Sequence, residues 1–102
     1  MAILHTINKS PYEKNSLESC LRYAKKGSAL LFIEDGIYAV VKGSSVAADL
    51  VNATDEISLY CLESDVKARG FASTKIMEVV QLVDYDGFVD LSVEYDKVQA
   101  WL

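Results

Sequence analysis

Two cysteines, a single histidine and a scatter of aspartates carry whatever chemistry this chain can do. Cys20 sits inside "NSLESCLRYAKKG", Cys61 inside "EISLYCL" and His5 inside "AILHTI". A thiolate is a nucleophile while a neutral thiol is a small hydrophobe, so each cysteine is either a chemical tool or packing. The two lie far apart, there is no CxxC, and one histidine is too few, which disfavours both a disulfide framework and a zinc site. His5 could act as a base or orient a thiolate, but its place between Leu4 and Thr6 in a short apolar run reads as packing. Asp35, Asp65, Asp84 and Asp86 suit caps and solvated loops, and no pair has the spacing of a carboxylate dyad. GxGxxG, GxxxxGKS or GxxxxGKT, and GxSxG are all absent, so nucleotide binding and serine-hydrolase chemistry have no support.

The surroundings of the two thiols differ. Cys61 shares one face of an alternating run with Ile57 and Leu59, while Ser58 and Tyr60 take the other, and it is read as core. Cys20 lies on the stripe Leu17, Cys20, Leu21, Ala24, spaced i, i+3, i+4, i+7 as on the buried side of an amphipathic helix. It falls past the first helical turn, where amide dipoles best lower a thiol pKa. The pattern therefore leans toward a packed thiol, although a stripe facing a partner subunit has the same spacing as one facing the core.

The elements that must position these residues follow from pattern. A strand over 2–7 is closed by "NKSP", since Pro11 cannot donate to a ladder. A helix over 15–27 has Asn15 as cap, Glu18 in a capping box, Lys25 and Lys26 in its last turn and Gly27 just past it. "SALLFIED" (28–35) reads as a strand buried on both faces, 36–43 as a short helix, and 44–55 as a second short helix or a loop. A strand over 56–62 precedes a brief helix over 63–70. A strand over 78–84 then leads to a helix over 84–96, capped by Asp84, with Phe88, Leu91, Ser92 and Tyr95 on one stripe before the tail "KVQAWL". Alternation of apolar strands with helices predicts an α/β fold over 1–102, a small single layered domain with a mainly parallel sheet. Sites in such folds gather at the carboxyl ends of the strands, which here carry "HTINKS", "EDG", "CLESD" and "VDYD".

Size and charge set the limits. At 102 residues there is room for one core, and 51% hydrophobic with 25% charged residues excludes a disordered tail. A formal charge of −5 opposes direct binding to nucleic acid or to an anionic membrane. "MAILHTINKSP" is too short in apolar residues for a signal-peptide core, and the longest apolar runs are "ALLFI" and "IYAVV", so a soluble cytoplasmic protein is expected. Six Tyr, three Phe and one Trp are more aromatic surface than a small core readily hides, which suits either an interface or a half-exposed core edge.

The blocks "ILHTINKSP", "FIEDGIYA", "DVKARGF" and "VDYDGFVDL" with the terminal "QAWL" together resemble the DsrH/TusB family, the small subunit of the DsrEFH and TusBCD sulfur-relay complexes. The resemblance implies a DsrEFH-like α/β domain assembled with DsrE-like and DsrF-like paralogues into a hexamer with two copies of each. It further implies a cytoplasmic relay that passes persulfide sulfur between proteins and exchanges it with a DsrC/TusE-like or TusA-like carrier, with no cofactor, metal or direct nucleic-acid contact by this chain. The leading persulfide-carrying cysteine of the family belongs to the DsrE/TusD partner. Cys20 stands where DsrH-type members carry a cysteine, which makes it the candidate persulfide carrier and tilts the reading toward DsrH and dissimilatory sulfur oxidation. The alternatives are a TusB-like subunit serving 2-thiolation of tRNA wobble uridine, or a structural scaffold whose partners hold the reacting cysteines. Persulfide transfer needs a thiolate that attacks the outer sulfur of a donor, hence an accessible cysteine.

Overall fold

A computed structural model describes residues 2–102. Five strands form one sheet in the order β4-β3-β2-β1-β5, with every neighbouring pair parallel. They are β1 (Ile3–Ile7), β2 (Ala29–Phe32), β3 (Ser58–Leu62), β4 (Val80–Val83) and β5 (Lys97–Trp101). Helix α1 (Ser16–Tyr23) follows β1, α2 (Ile37–Val40) and α3 (Ala47–Ala53) follow β2, α4 (Glu63–Ala68) follows β3, and α5 (Tyr85–Glu94) joins β4 to β5. The chain steps one way from β1 to β4 and then returns across the sheet, and a right-handed crossover that reverses direction changes face. The packing follows that rule. Leu17, Cys20, Leu50 and Val66 of α1, α3 and α4 meet Ile7, Leu30, Phe32, Leu59, Cys61 and Val80 on one face. Leu91 of α5 meets Leu4, Ala29 and Leu31 on the other.

Central β2 explains why its run is apolar without alternation. Ala29, Leu30, Leu31 and Phe32 are all fully buried, because helices cover both sides of it. Each buried leucine or phenylalanine contributes about 1.5–3 kcal/mol relative to exposure. On β3 the alternation holds: Leu59 and Cys61 are buried, Ser58 is exposed and Tyr60 half-buried.

Local signals were followed unevenly. Asp84 caps α5, its Oδ1 accepting the Gly87 N–H at 2.8 Å, and Ser92 donates back to the Phe88 carbonyl at 3.0 Å. Residues 44–55 contain the helix α3 rather than a loop. The first helix is shorter than 15–27, for Ala24 is already extended (ψ 136) and the Asn15 side chain makes no cap bond. Lys25, Lys26 and Gly27 instead form the turn into β2, where Gly27 adopts a φ of 89 and donates its N–H to the Glu56 carbonyl at 2.9 Å. A φ in that region suits glycine, which has no Cβ to clash. Burial of the α1 stripe, not terminal capping, is what holds this helix. The tail "KVQAWL" is a strand, with Lys97 to Trp101 in register with Ile3 to Ile7. No helix among the described residues is long and apolar enough to cross a membrane.

Candidate functional site

Both thiols lie inside the protein, in the cluster beneath α1, α3 and α4, with no exposed surface on either residue. Loss of hydration disfavours the thiolate, so burial pushes the Cys20 thiol up to about 12. Burial also pushes Cys61 up to about 12, and the nearby Glu63 charge adds to this. At neutral pH both are small apolar groups. Cys61, one residue from the end of β3 and beside the last residue of β2, Phe32, does stand near the carboxyl edge where parallel α/β folds place their sites, but it is turned into the core, and Cys20 is buried under α1.

That edge holds acids and a guanidinium instead. After β2 the chain turns sharply: Ile33 donates its N–H to the Ile7 carbonyl at 3.0 Å, and Glu34 takes a left-handed φ of 50. The strained turn is pinned by Asp65 of α4, whose Oδ2 accepts the Glu34 N–H at 2.7 Å. Arg69 closes the clamp, donating from Nε and Nη2 to Asp35 Oδ1 at 3.2 and 3.0 Å, with Nη1 4.0 Å from Asp65 Oδ1. Gly36 follows because the elbow lies against the end of β1. A Cβ there would overlap the Ile7 carbonyl oxygen and stand 2.9 Å from its carbon. "FIEDGIYA" and "DVKARGF" thus meet in space as one clamp. One guanidinium thus faces both carboxylates, hydrogen-bonded to Asp35 and 4.0 Å from Asp65. The Asp35–Arg69 contact joins residues too far apart for a local reading, and its one sequence signal was the i, i+4 spacing of Asp65 and Arg69.

His5 belongs to a separate aromatic group. Trp101 Nε1 donates to His5 Nδ1 at 3.0 Å, which leaves the proton on Nε2, a buried atom with no hydrogen-bond partner among the described residues. Tyr23 stands edge-on to the imidazole at 6.3 Å and to Trp101 at 5.9 Å. Burial lowers the His5 pKa below 6.5. The unfolded chain therefore takes up a proton that the folded chain refuses, and this contribution is complete above pH 6.5 and declines as pH falls toward the folded value. Urea midpoints between about pH 7.5 and about pH 5 are expected to fall further for the wild type than for His5→Leu, carboxylate effects being common to both. Equal declines would show that the imidazole is not held neutral.

Among the described residues no three His, Cys, Asp or Glu side chains are grouped to hold a metal ion. Helices on both faces of a parallel sheet, a clamp at the strand ends and both thiols in the core define a small α/β domain. Residues 9–98 match the family model described as "DsrH like protein", and the chain belongs to the DsrH/TusB family. It is 36% identical over 99 residues to Protein TusB of Pectobacterium parmentieri, covering 97% of this chain and 100% of that relative. The identity is 37% to Protein TusB of Yersinia enterocolitica and 35% to Protein TusB of Escherichia coli (strain K12), with the same coverage of both chains. Among solved structures, the ychN protein from E. coli superposes with a TM-score of 0.80 at 15% identity, over 99% of each chain. The protein of unknown function MTH1491 from Methanobacterium thermoautotrophicum gives 0.74 at 13% identity, over 96% of each. These two establish the fold alone.

Proposed function

We propose that this chain is a structural subunit of a cytoplasmic sulfur relay of the TusB kind, serving 2-thiolation of tRNA wobble uridine, with the persulfide held on cysteines of its partners. The assembly is a hexamer with two copies each of this chain and of DsrE-like and DsrF-like paralogues, exchanging sulfur with a DsrC/TusE-like or TusA-like carrier. The TusB branch is favoured over dissimilatory sulfur oxidation because the similar relatives bear the name TusB along their whole length. The observation that carries the structural role is the complete burial of Cys20 and Cys61. A thiol held protonated cannot attack the outer sulfur of a persulfide.

A second reading keeps Cys20 as a persulfide carrier in sulfur oxidation. It is favoured by the position of Cys20 in the first helix, and it requires α1 to lift from the sheet so that the thiol meets a donor. Deleting the chain from its own cells and measuring 2-thiouridine in tRNA separates the two. The proposal expects 2-thiouridine to fall and to be restored by wild type and by Cys20→Ala alike. Normal 2-thiouridine after deletion would refute the tRNA assignment, and failure of a folded Cys20→Ala to restore it would refute the structural role.

A further inference from the structure

On the face opposite α5, a groove of about 660 Å³ opens between α1 and α3. Leu17, Leu21 and Ala24 form one side of its floor, and Val46, Ala53 and Ile57 the other. The α1 stripe is therefore divided: Leu17 and Cys20 are buried in the core, whereas Leu21 and Ala24 stay half-buried at the groove. The rim carries Glu18, Asp49, Asp55 and Glu56 against the single cation Arg22. All four carboxylates are exposed, and among the described residues none is in an ion pair. Past Leu17, Glu18 and Val46 the groove continues into a second depression that reaches Pro11 and Tyr12. Tyr12 is 64% exposed there, with its hydroxyl held by accepting the Ser45 N–H at 3.3 Å.

We propose that this groove docks a basic amphipathic helical segment of a partner protein. Apolar side chains at i, i+3, i+4 and i+7 of that segment cover the floor, and flanking lysines or arginines meet the four carboxylates. The occupant follows from charge. An apolar floor selects apolar side chains, and a rim with four anions to one cation selects positive flanks and repels negative ones. A second copy of this chain fits poorly, since it brings a net charge of −5 to an acidic rim. Tyr12 supplies the rigid aromatic type that dominates binding energy at interfaces.

The test uses the full chain and a fluorescein-labelled peptide of about 14 residues, about four helical turns, with leucines at the four apolar positions and lysines between them. Fluorescence anisotropy compares wild type with Asp49→Lys/Glu56→Lys in the rim and with Asp86→Lys/Asp90→Lys on α5, which changes net charge equally. All four positions are exposed, so folding is retained. The groove pair is expected to weaken binding at least about tenfold and the α5 pair by less than about twofold. Equal weakening by both pairs would reduce the effect to net charge and overturn the proposal. So would failure of the wild type to bind, or a wild-type dimer in sedimentation that the groove pair abolishes, which would assign the groove to a second copy.

Discussion

In the folded chain at about pH 8, Cys20 and Cys61 are expected to react with iodoacetamide roughly a thousandfold more slowly than an exposed cysteine. The size comes from thiolate population alone. Burial moves both thiols from an ordinary value of 9.0 to about 12, and the thiolate is the attacking species. Steric closure slows the reaction further, since neither residue has exposed surface. The same shift has a sign in stability. Above pH 9.0 the unfolded chain gives up thiol protons that the folded chain keeps, so folding is favoured fully below that value and loses this contribution as pH rises toward about 12. Time-resolved alkylation with peptide mass spectrometry, in buffer and in about 6 M urea, checks it. A native rate on Cys20 within about tenfold of the unfolded rate would mean that the first helix opens readily and that the thiol is available.

Replacing Gly36 by alanine is expected to cost about 3 kcal/mol or more, enough to unfold a marginal domain of this size. Gly36 has an ordinary φ of −59, so the cost is not conformational. The added Cβ would collide with the main chain of β1 at Ile7, which is fixed by its bond to Ile33 and by the ladders to β2 and β5. Backbone that is held from three sides cannot yield as a flexible side chain would. Gly87 provides the comparison: a Cβ there would stand 3.0 Å from Val83 Cβ at the end of β4 and 3.3 Å from the capping Asp84 Oδ1, tight contacts relieved by a shift of a few tenths of an ångström rather than an overlap with a carbonyl. Gly87→Ala is expected to cost about 1 kcal/mol or less, also because alanine is the better helix former. Urea denaturation of the two variants measures the contrast, and equal midpoints would contradict the account of the elbow.

What the sequence disclosed depended on how local the cause was. β2 was legible because a strand covered on both faces must be apolar throughout, and β3 because Ile57, Leu59 and Cys61 alternate with Ser58 and Tyr60. Asp84 was legible as a cap because the bond it accepts is three residues away. β5 was not, because an edge strand with Lys97, Val98 and Ala100 exposed carries no strong pattern, and its place is decided by main-chain pairing with a strand at the other end of the chain. The cap at Asn15 and the extension to Gly27 failed for a related reason: the course from Ala24 onward is set by where β2 must begin. Pairs from opposite ends of the sequence were equally hidden, as with Trp101 and His5. For the thiols, the stripe and the alternation indicated packing, and the surrounding helices make that burial complete.

In the proposed relay, sulfur travels on partner cysteines and this chain supplies structure. Peptide-resolved mass spectrometry tests this on the chain co-purified with the proposed DsrE-like and DsrF-like paralogues after exposure to a persulfide donor, with the Cys20→Ala and Cys61→Ala versions alongside. The account predicts added sulfur on partner cysteines, none on Cys20 or Cys61, and the same partner labelling in both variants. Added sulfur on Cys20 that disappears in Cys20→Ala would contradict it and make this chain a station in the relay.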